Sequence, residues 1–385
     1  MRGGHSQRAV AKRFRVSLSV VQRWVNRAGD QRLDRVDFAD RAHAAHHVAN
    51  RTPTAIETRL IDARQQLRHH SPLGEYGAAA VRHALLDAGV AGVPSVSTIG
   101  RVFERYGLLD VAHKPRRKAP PRGWYLHDVC AGEAELDSFD VVQGLNIQHG
   151  PLVEVLNGVS LHGGLVASWP QDASVKATDV VARLTEHWRE VGLPDYAQFD
   201  NDTLFQGPHQ HPDVIGRVMR LCLALGIVPV FAPVSEHGFQ AQIEGYNGLW
   251  QAKVWARYHH QSLGDLVVRS SDYVAAHRRR SAARREQAPV RRPFPERWCL
   301  DLQAHPGDDP VARVVFIRRT DAHGRVRVLG HVFEASPSWT SRLVRCEVNL
   351  AGGRVRIHRL RRREPTDQPL LAEHEYTLPR RPFSE

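Results

Sequence analysis

Tyr196-Ala197-Gln198-Phe199-Asp200-Asn201-Asp202 reads as a short strand that runs straight into a carboxylate. Upstream lie a strand at 134–142, a strand pair across 152–169 and a helix at 174–191. Downstream come a helix at 212–225, a buried strand at 227–231 and a helix at 243–259. Three leading strands followed by strands alternating with helices predict an α/β sheet with helices packed on it, over residues 124–275.

On this frame three carboxylates stand out. Asp137 lies mid-strand in Glu135-Leu136-Asp137-Ser138-Phe139, Asp200 closes its strand, and Glu244 opens a helix in Gln242-Ile243-Glu244-Gly245-Tyr246-Asn247. Carboxylates gathered on a sheet and an adjoining helix repel one another unless cations lie between them. Hard oxygen ligands suit Mg2+ or Mn2+, and a pair of such ions can activate an attacking oxygen and stabilise a leaving one in phosphodiester displacement. Asp137, Asp200 and Glu244 are therefore the expected metal ligands and catalytic residues. Asp140 points to the opposite face of a regular strand from Asp137, and on this reading reaches the site only at a bulge.

Other chemistries find little support. The chain lacks GxxxxGK[ST], GxGxxG, HExxH and GxSxG, and its cysteines Cys130, Cys222, Cys299 and Cys346 form no CxxC pair. His209 and His211 beside two prolines read more simply as a polar loop than as a metal site. The longest nearly continuous apolar stretch, Leu221 to Val234, has 14 residues and is too short to span a bilayer. With no signal-peptide pattern, a cytoplasmic, nucleoid-associated protein with no membrane partner is expected.

At 385 residues, 42% hydrophobic and 24% charged, the chain is long enough for two to four globular domains. Its formal net charge of +12 suits a polyanionic partner such as nucleic acid. Basic runs fall at apparent joints, at His113–Lys118, Arg278–Arg292 and Arg359–Arg363.

Residues 1–50 read as helix, tight turn, helix. Val10 and Phe14 form one apolar stripe, Val21, Trp24 and Val25 a second, and Ser17 is a natural N-cap for a helix starting at Leu18. Ser19, Gln22, Arg23 and Asn26 point away from the second stripe and suit contact with phosphates or base edges in a major groove. A second unit over 51–112 ends in a helix introduced by Ser95 and closed by Gly107. There Ile99, Val102, Phe103 and Tyr106 are expected inward, with Thr98, Arg101 and Arg105 outward against DNA. Residues 113–123 read as a basic linker and 276–293 as an Arg-rich one. Short alternating segments over 294–385, such as Ala312–Ile317 and Arg354–His358, predict a small β barrel whose outward arginines grip phosphate.

Taken together, Glu135-Leu136-Asp137, Phe199-Asp200-Asn201 with Phe205, Leu225-Gly226-Ile227 with Pro233, and Gln240-Ala241-Gln242-Ile243-Glu244-Gly245-Tyr246-Asn247 resemble a DDE transposase of bacterial insertion sequences, with a retroviral-integrase-type core. The resemblance implies N-terminal helix-turn-helix units, a central ribonuclease-H-like core and an SH3-like C-terminal barrel. It also implies a homo-multimer working on paired ends of double-stranded DNA, which cuts at element ends and joins 3′ hydroxyls to target DNA with two Mg2+ or Mn2+ ions. Two departures stand beside it. Asp202 occupies a position where the family usually has glycine, and the 43 residues between Asp200 and Glu244 exceed the usual spacing. Counting alone favours Glu236, with 35 residues between it and Asp200; Asn247, one helical turn beyond Glu244, favours Glu244. The departures keep open a catalytically silent, domesticated derivative that only binds DNA.

Overall fold

The computed structural model describes residues 4–39, 51–109, 123–172, 174–208, 211–233, 236, 238–362 and 364–384. The basic run at 113–118, His209 of the histidine pair and Arg363 lie outside the described residues. Contacts divide the chain into two units, 1–57 and 58–385.

In the first unit α1 (Gln7–Phe14) and α2 (Leu18–Ala28) are joined by a turn in which Arg15 takes the left-handed conformation, φ 53°. Ser6 and Ser17 cap the two helices by accepting the amides of Ala9 and Val20. Ser19, Gln22, Arg23 and Asn26 share the exposed side of α2, while Val21 is buried.

The second unit opens with three helices, α3 (Thr54–His70, which starts at the boundary), α4 (Ala78–Asp87) and α5 (Val96–Arg105). Ile99, Val102 and Phe103 are buried as the pattern requires, but Tyr106, expected inward, caps the end of α5 and is 45% exposed. Arg64 of α3 joins the three helices: its guanidinium lies over the Tyr76 and Phe103 rings and donates to the carbonyls of Tyr76 and Leu108.

The sheet follows α6 (His127–Ala131): β1 (Leu136–Asn146), β2 (Leu152–Ser160) and β3 (Val166–Asp172) form an antiparallel meander. Next come α7 (Ala177–Val191), β4 (Tyr196–Phe199), α8 (Thr203–Gln206), α9 (Arg217–Ala224), β5 (Val228–Phe231) and α10 (Ala241–Trp250). β4 pairs in parallel with β1 and with β5, so the expected α/β order holds. The helix expected to reach 259 instead passes into a π-helical turn over Gln251–Trp255. Then follow α11 (Leu263–Arg280) and α12 (Ala282–Glu286). One face of the sheet packs Phe139, Leu184, Trp188, Phe199 and Val218; the other packs Val142, Val155, Ile243, Tyr246 and Trp250.

The strands expected to form a barrel over 294–385 are not separate from the core. β6 (Arg313–Arg319), β9 (Leu343–Asn349), β10 (Arg354–Arg359) and β11 (Leu370–Glu375) continue the core sheet, in the order β11-β10-β9-β6-β5-β4-β1-β2-β3, while β7 (Arg325–Val328) and β8 (His331–Glu334) make a separate hairpin. The physical reason is at β5, which would otherwise be an open edge: Val230 and Phe231 pair in parallel with Val315 and Phe316, and β6 is buried on both faces there.

The Arg-rich segment is not a solvated linker either. α11 runs past the expected boundary at 275, and several arginines beyond it bind groups of the core while Arg279 and Arg280 stay exposed. Arg278 donates to the Val166 carbonyl, Arg284 to the Leu161 and His162 carbonyls, and Arg292 to the Gly226 carbonyl. The strand arginines are also largely engaged within the protein, Arg354 and Arg356 with Glu373, and Arg345 with Glu347.

Candidate active site

The parallel register of β1 and β4 sets the site. Leu136, Asp137 and Ser138 lie beside Tyr196, Ala197 and Gln198, and the Ser138 hydroxyl donates to Gln198 Oε1 at 3.1 Å. Two residues further on come Asp140, on the Ser138 face of β1 because side chains alternate, and Asp200, just past the end of β4, whose charge acts on Asp140. Phe139 and Phe199 occupy the opposite face with their rings stacked at 5.8 Å.

α10 lies over the Asp140 side. Glu244 is in its first turn, and Asn247, one turn on, donates from Nδ2 to Asp140 Oδ2 at 2.7 Å. The Asn247 carbonyl in turn accepts from Asn157 Nδ2 at 2.8 Å, and Asn157 is the fully buried cross-strand partner of Asp140. Burial pushes the Asp140 carboxyl up to about 6, the Asp200 and Glu244 charges push the same way, and the Val141 amide and Asn247 oppose. Burial also raises Asp200, against the Asp202 amide that donates to its Oδ1 at 3.0 Å.

Asp137 is elsewhere. The expected gathering of Asp137 with Asp200 and Glu244 does not occur: Asp137 is 1% exposed on the Phe139 face, where Trp188 Nε1 donates to it at 3.1 Å. Arg291 grips it with two hydrogen bonds, at 2.9 and 2.5 Å. Burial alone would raise Asp137, but the Arg291 guanidinium outweighs it and holds the carboxyl below its ordinary value. His187 nearby is driven down to about 3 by burial and stays neutral. No bulge separates Asp137 from Asp140, since the register of β1 with β2 shifts only between Val142 and Leu145.

Asp200 and Glu244 line a cleft of about 750 Å3 with Glu236, Arg318 and Arg327. Glu236 is engaged by Arg319, whose guanidinium donates to its Oε1. Asp202, the residue in place of glycine, has φ −63° and caps α8 by accepting the Leu204 amide at 2.8 Å, so its position needs no glycine. Among the described residues no three His, Cys, Asp or Glu side chains stand close enough to share one metal ion. Asp140, Asp200 and Glu244 offer only carboxylate oxygens, the ligand type that Mg2+ or Mn2+ prefers, and burial raises the first two carboxyls.

Of the expected DNA-facing residues, Arg101 and Arg105 are exposed on α5, and Thr98 is half-buried with its hydroxyl 3.0 Å from that of Ser95. Sequence reading missed Asn157, whose signal was a lone amide in the apolar run Val153–Val159, and the cleft arginines Arg318 and Arg327.

No family model and no curated protein matches the chain. Among solved structures it is similar to retroviral integrases. The catalytic core domain of BIV integrase is 16% identical, with 37% of this chain and 80% of that one covered and a TM-score of 0.27. A chain of the simian T-cell lymphotropic virus intasome, solved with the PP2A regulatory subunit B56 gamma, is 12% identical over 76% of this chain and 91% of that one, with a TM-score of 0.33. Among the described residues no helix is long and apolar enough to cross a membrane.

Proposed function

We propose that the chain is a DDE-type polynucleotidyl transferase with a ribonuclease-H-like core, a transposase of the insertion-sequence kind, in which Asp140 rather than Asp137 acts with Asp200 and Glu244. One observation carries this reading: Asp140 and Asp200 emerge side by side from parallel strands on the face covered by α10, and Asn247 of that helix holds Asp140. Asp140, Asp200 and Glu244 would hold Mg2+ or Mn2+, which supply Lewis acidity to attacking and leaving phosphate oxygens. The protein's part is positional and protonic. Asn157 orients the Asn247 amide, that amide fixes one oxygen of Asp140, and Asp140 must shed its proton before it can bind a cation.

The α1–α2 pair serves as a helix-turn-helix in this reading. Ser19, Gln22, Arg23 and Asn26 meet the major groove of the element end, and Thr98, Arg101 and Arg105 of α5 extend the contact. Double-stranded DNA is the partner, and a homo-multimer pairs the ends. The test is strand transfer with duplexes from both gene flanks, a plasmid target and Mg2+ or Mn2+. Joined products from wild type, lost in Glu244→Gln and kept in Glu236→Gln, support the reading.

One observation favours a second reading, a silent DNA-binding derivative: no three carboxylates stand close enough to share one ion among the described residues. Flank binding without cutting in either metal would decide for it.

A further inference from the structure

The cleft holding Asp200 and Glu244 has a second wall, made by β6 and the β7–β8 hairpin. In β7 Val326 and Val328 are buried, so the pleat turns Arg325 and Arg327 outward. Arg325 is bound to Asp321 at 3.0 Å. Arg327 has no ion-pair partner among the described residues, although it lines a cleft that contains several carboxylates. Arg318, the other cation of this wall, lies over the Phe316 ring at 4.9 Å; burial lowers it to about 10, which leaves it charged.

The hairpin is held firmly against the core. Leu329 and Gly330, with φ 48° and 83°, make its two-residue turn, and a Cβ on Gly330 would come 2.7 Å from Pro212 Cα. The Asp213 amide donates to the Leu329 carbonyl at 3.0 Å. Its carboxylate accepts the Tyr376 hydroxyl at 2.9 Å and meets His331 Nε2 at 2.7 Å. Arg327 therefore projects from a fixed element.

A DNA strand at Asp200 and Glu244 brings a phosphate with every nucleotide, and the acidic wall repels those flanking the reacting one. The geometry points to the β7–β8 hairpin as a phosphate clamp: Arg327, backed by Arg318, binds backbone phosphates of the strand whose reacting bond lies at the carboxylates. The inference rests on the proposed nucleic-acid reading and adds a binding site contributed by the C-terminal strands.

The test measures the full-length protein binding a fluorescent duplex in Ca2+ across a salt series, comparing wild type, Arg327→Ala, Arg327→Lys and Arg325→Ala, each checked for an unchanged thermal melt. Arg327→Ala should weaken binding several-fold and flatten the plot of log affinity against log salt by about one, the loss of one phosphate contact. Arg327→Lys should keep the wild-type slope, and so should Arg325→Ala. A slope in Arg327→Ala equal to that of Arg325→Ala overturns the clamp. Cutting in Mn2+ by the same proteins separates the two claims. A flattened slope with no cutting by wild type sinks the carboxylate reading and leaves the clamp. Cutting by wild type with an unflattened slope in Arg327→Ala does the reverse.

Discussion

Asp137 and Asp140 lie three residues apart on one regular strand and face opposite sides of the sheet, Asp137 onto Arg291 and Trp188, Asp140 onto Asn247. A buried and a half-buried acid with opposite surroundings have opposite shifts in proton affinity, and that difference makes their roles separable.

Asp137→Asn should be a stability mutation. It leaves the Arg291 charge, 12% exposed, without its carboxylate. Removing one partner of a buried ion pair costs about 3–5 kcal/mol. Urea unfolding measures it, and a loss under about 1 kcal/mol would contradict the role assigned here.

Asp140→Asn should stabilise the metal-free protein at high pH. The Asp140 carboxyl rises from its ordinary 3.8 to about 6 on folding, so the folded state takes up a proton between those values. The stability Asp140 contributes is full below the lower value and is lost as pH rises through about 6. Asparagine, always neutral, avoids that loss. Without divalent cations the variant should exceed wild type at pH 8 by up to roughly 3 kcal/mol and match it near pH 4. Melting curves at both pH values decide, and equal stabilities at pH 8 would rule the effect out.

Asn247→Leu should lower cutting about 10- to 100-fold while end binding stays intact, since it removes the amide that orients Asp140. The cutting pH profile should also move to higher pH, because that donor favours the Asp140 anion. Wild-type cutting with an unmoved profile would assign Asn247 to packing alone.

Arg23→Ala should weaken binding of the cognate element end more than binding of scrambled DNA if Arg23 meets a base edge, by about 1–3 kcal/mol. Equal losses on both, read by fluorescence anisotropy, would place Arg23 on phosphate.

Much of this was legible in the residues. The caps Ser17 and Ser95, the helices they open and the succession of strands and helices along the chain through β5 follow from local pattern and turn chemistry. What was not legible is long-range. A strand's alternation says that Asp137 and Asp140 face opposite sides, but not which side the neighbouring strand's Asp200 shares; only the pairing of Ser138 with Gln198 settles that. The run Ala312–Ile317 likewise announces a strand without naming its neighbour, so its union with β5 could not be seen. The Arg278–Arg292 run reads as a linker because charge alone does not reveal the carbonyls and the Asp137 carboxylate that bind it.

The most direct test of the central claim is Mn2+-dependent cutting of duplex DNA by wild type and Asp140→Asn, with Mn2+ binding to each followed by calorimetry. Wild type should bind Mn2+ and cut, and the folded Asp140→Asn should lose both. Wild-type cutting by Asp140→Asn would contradict it.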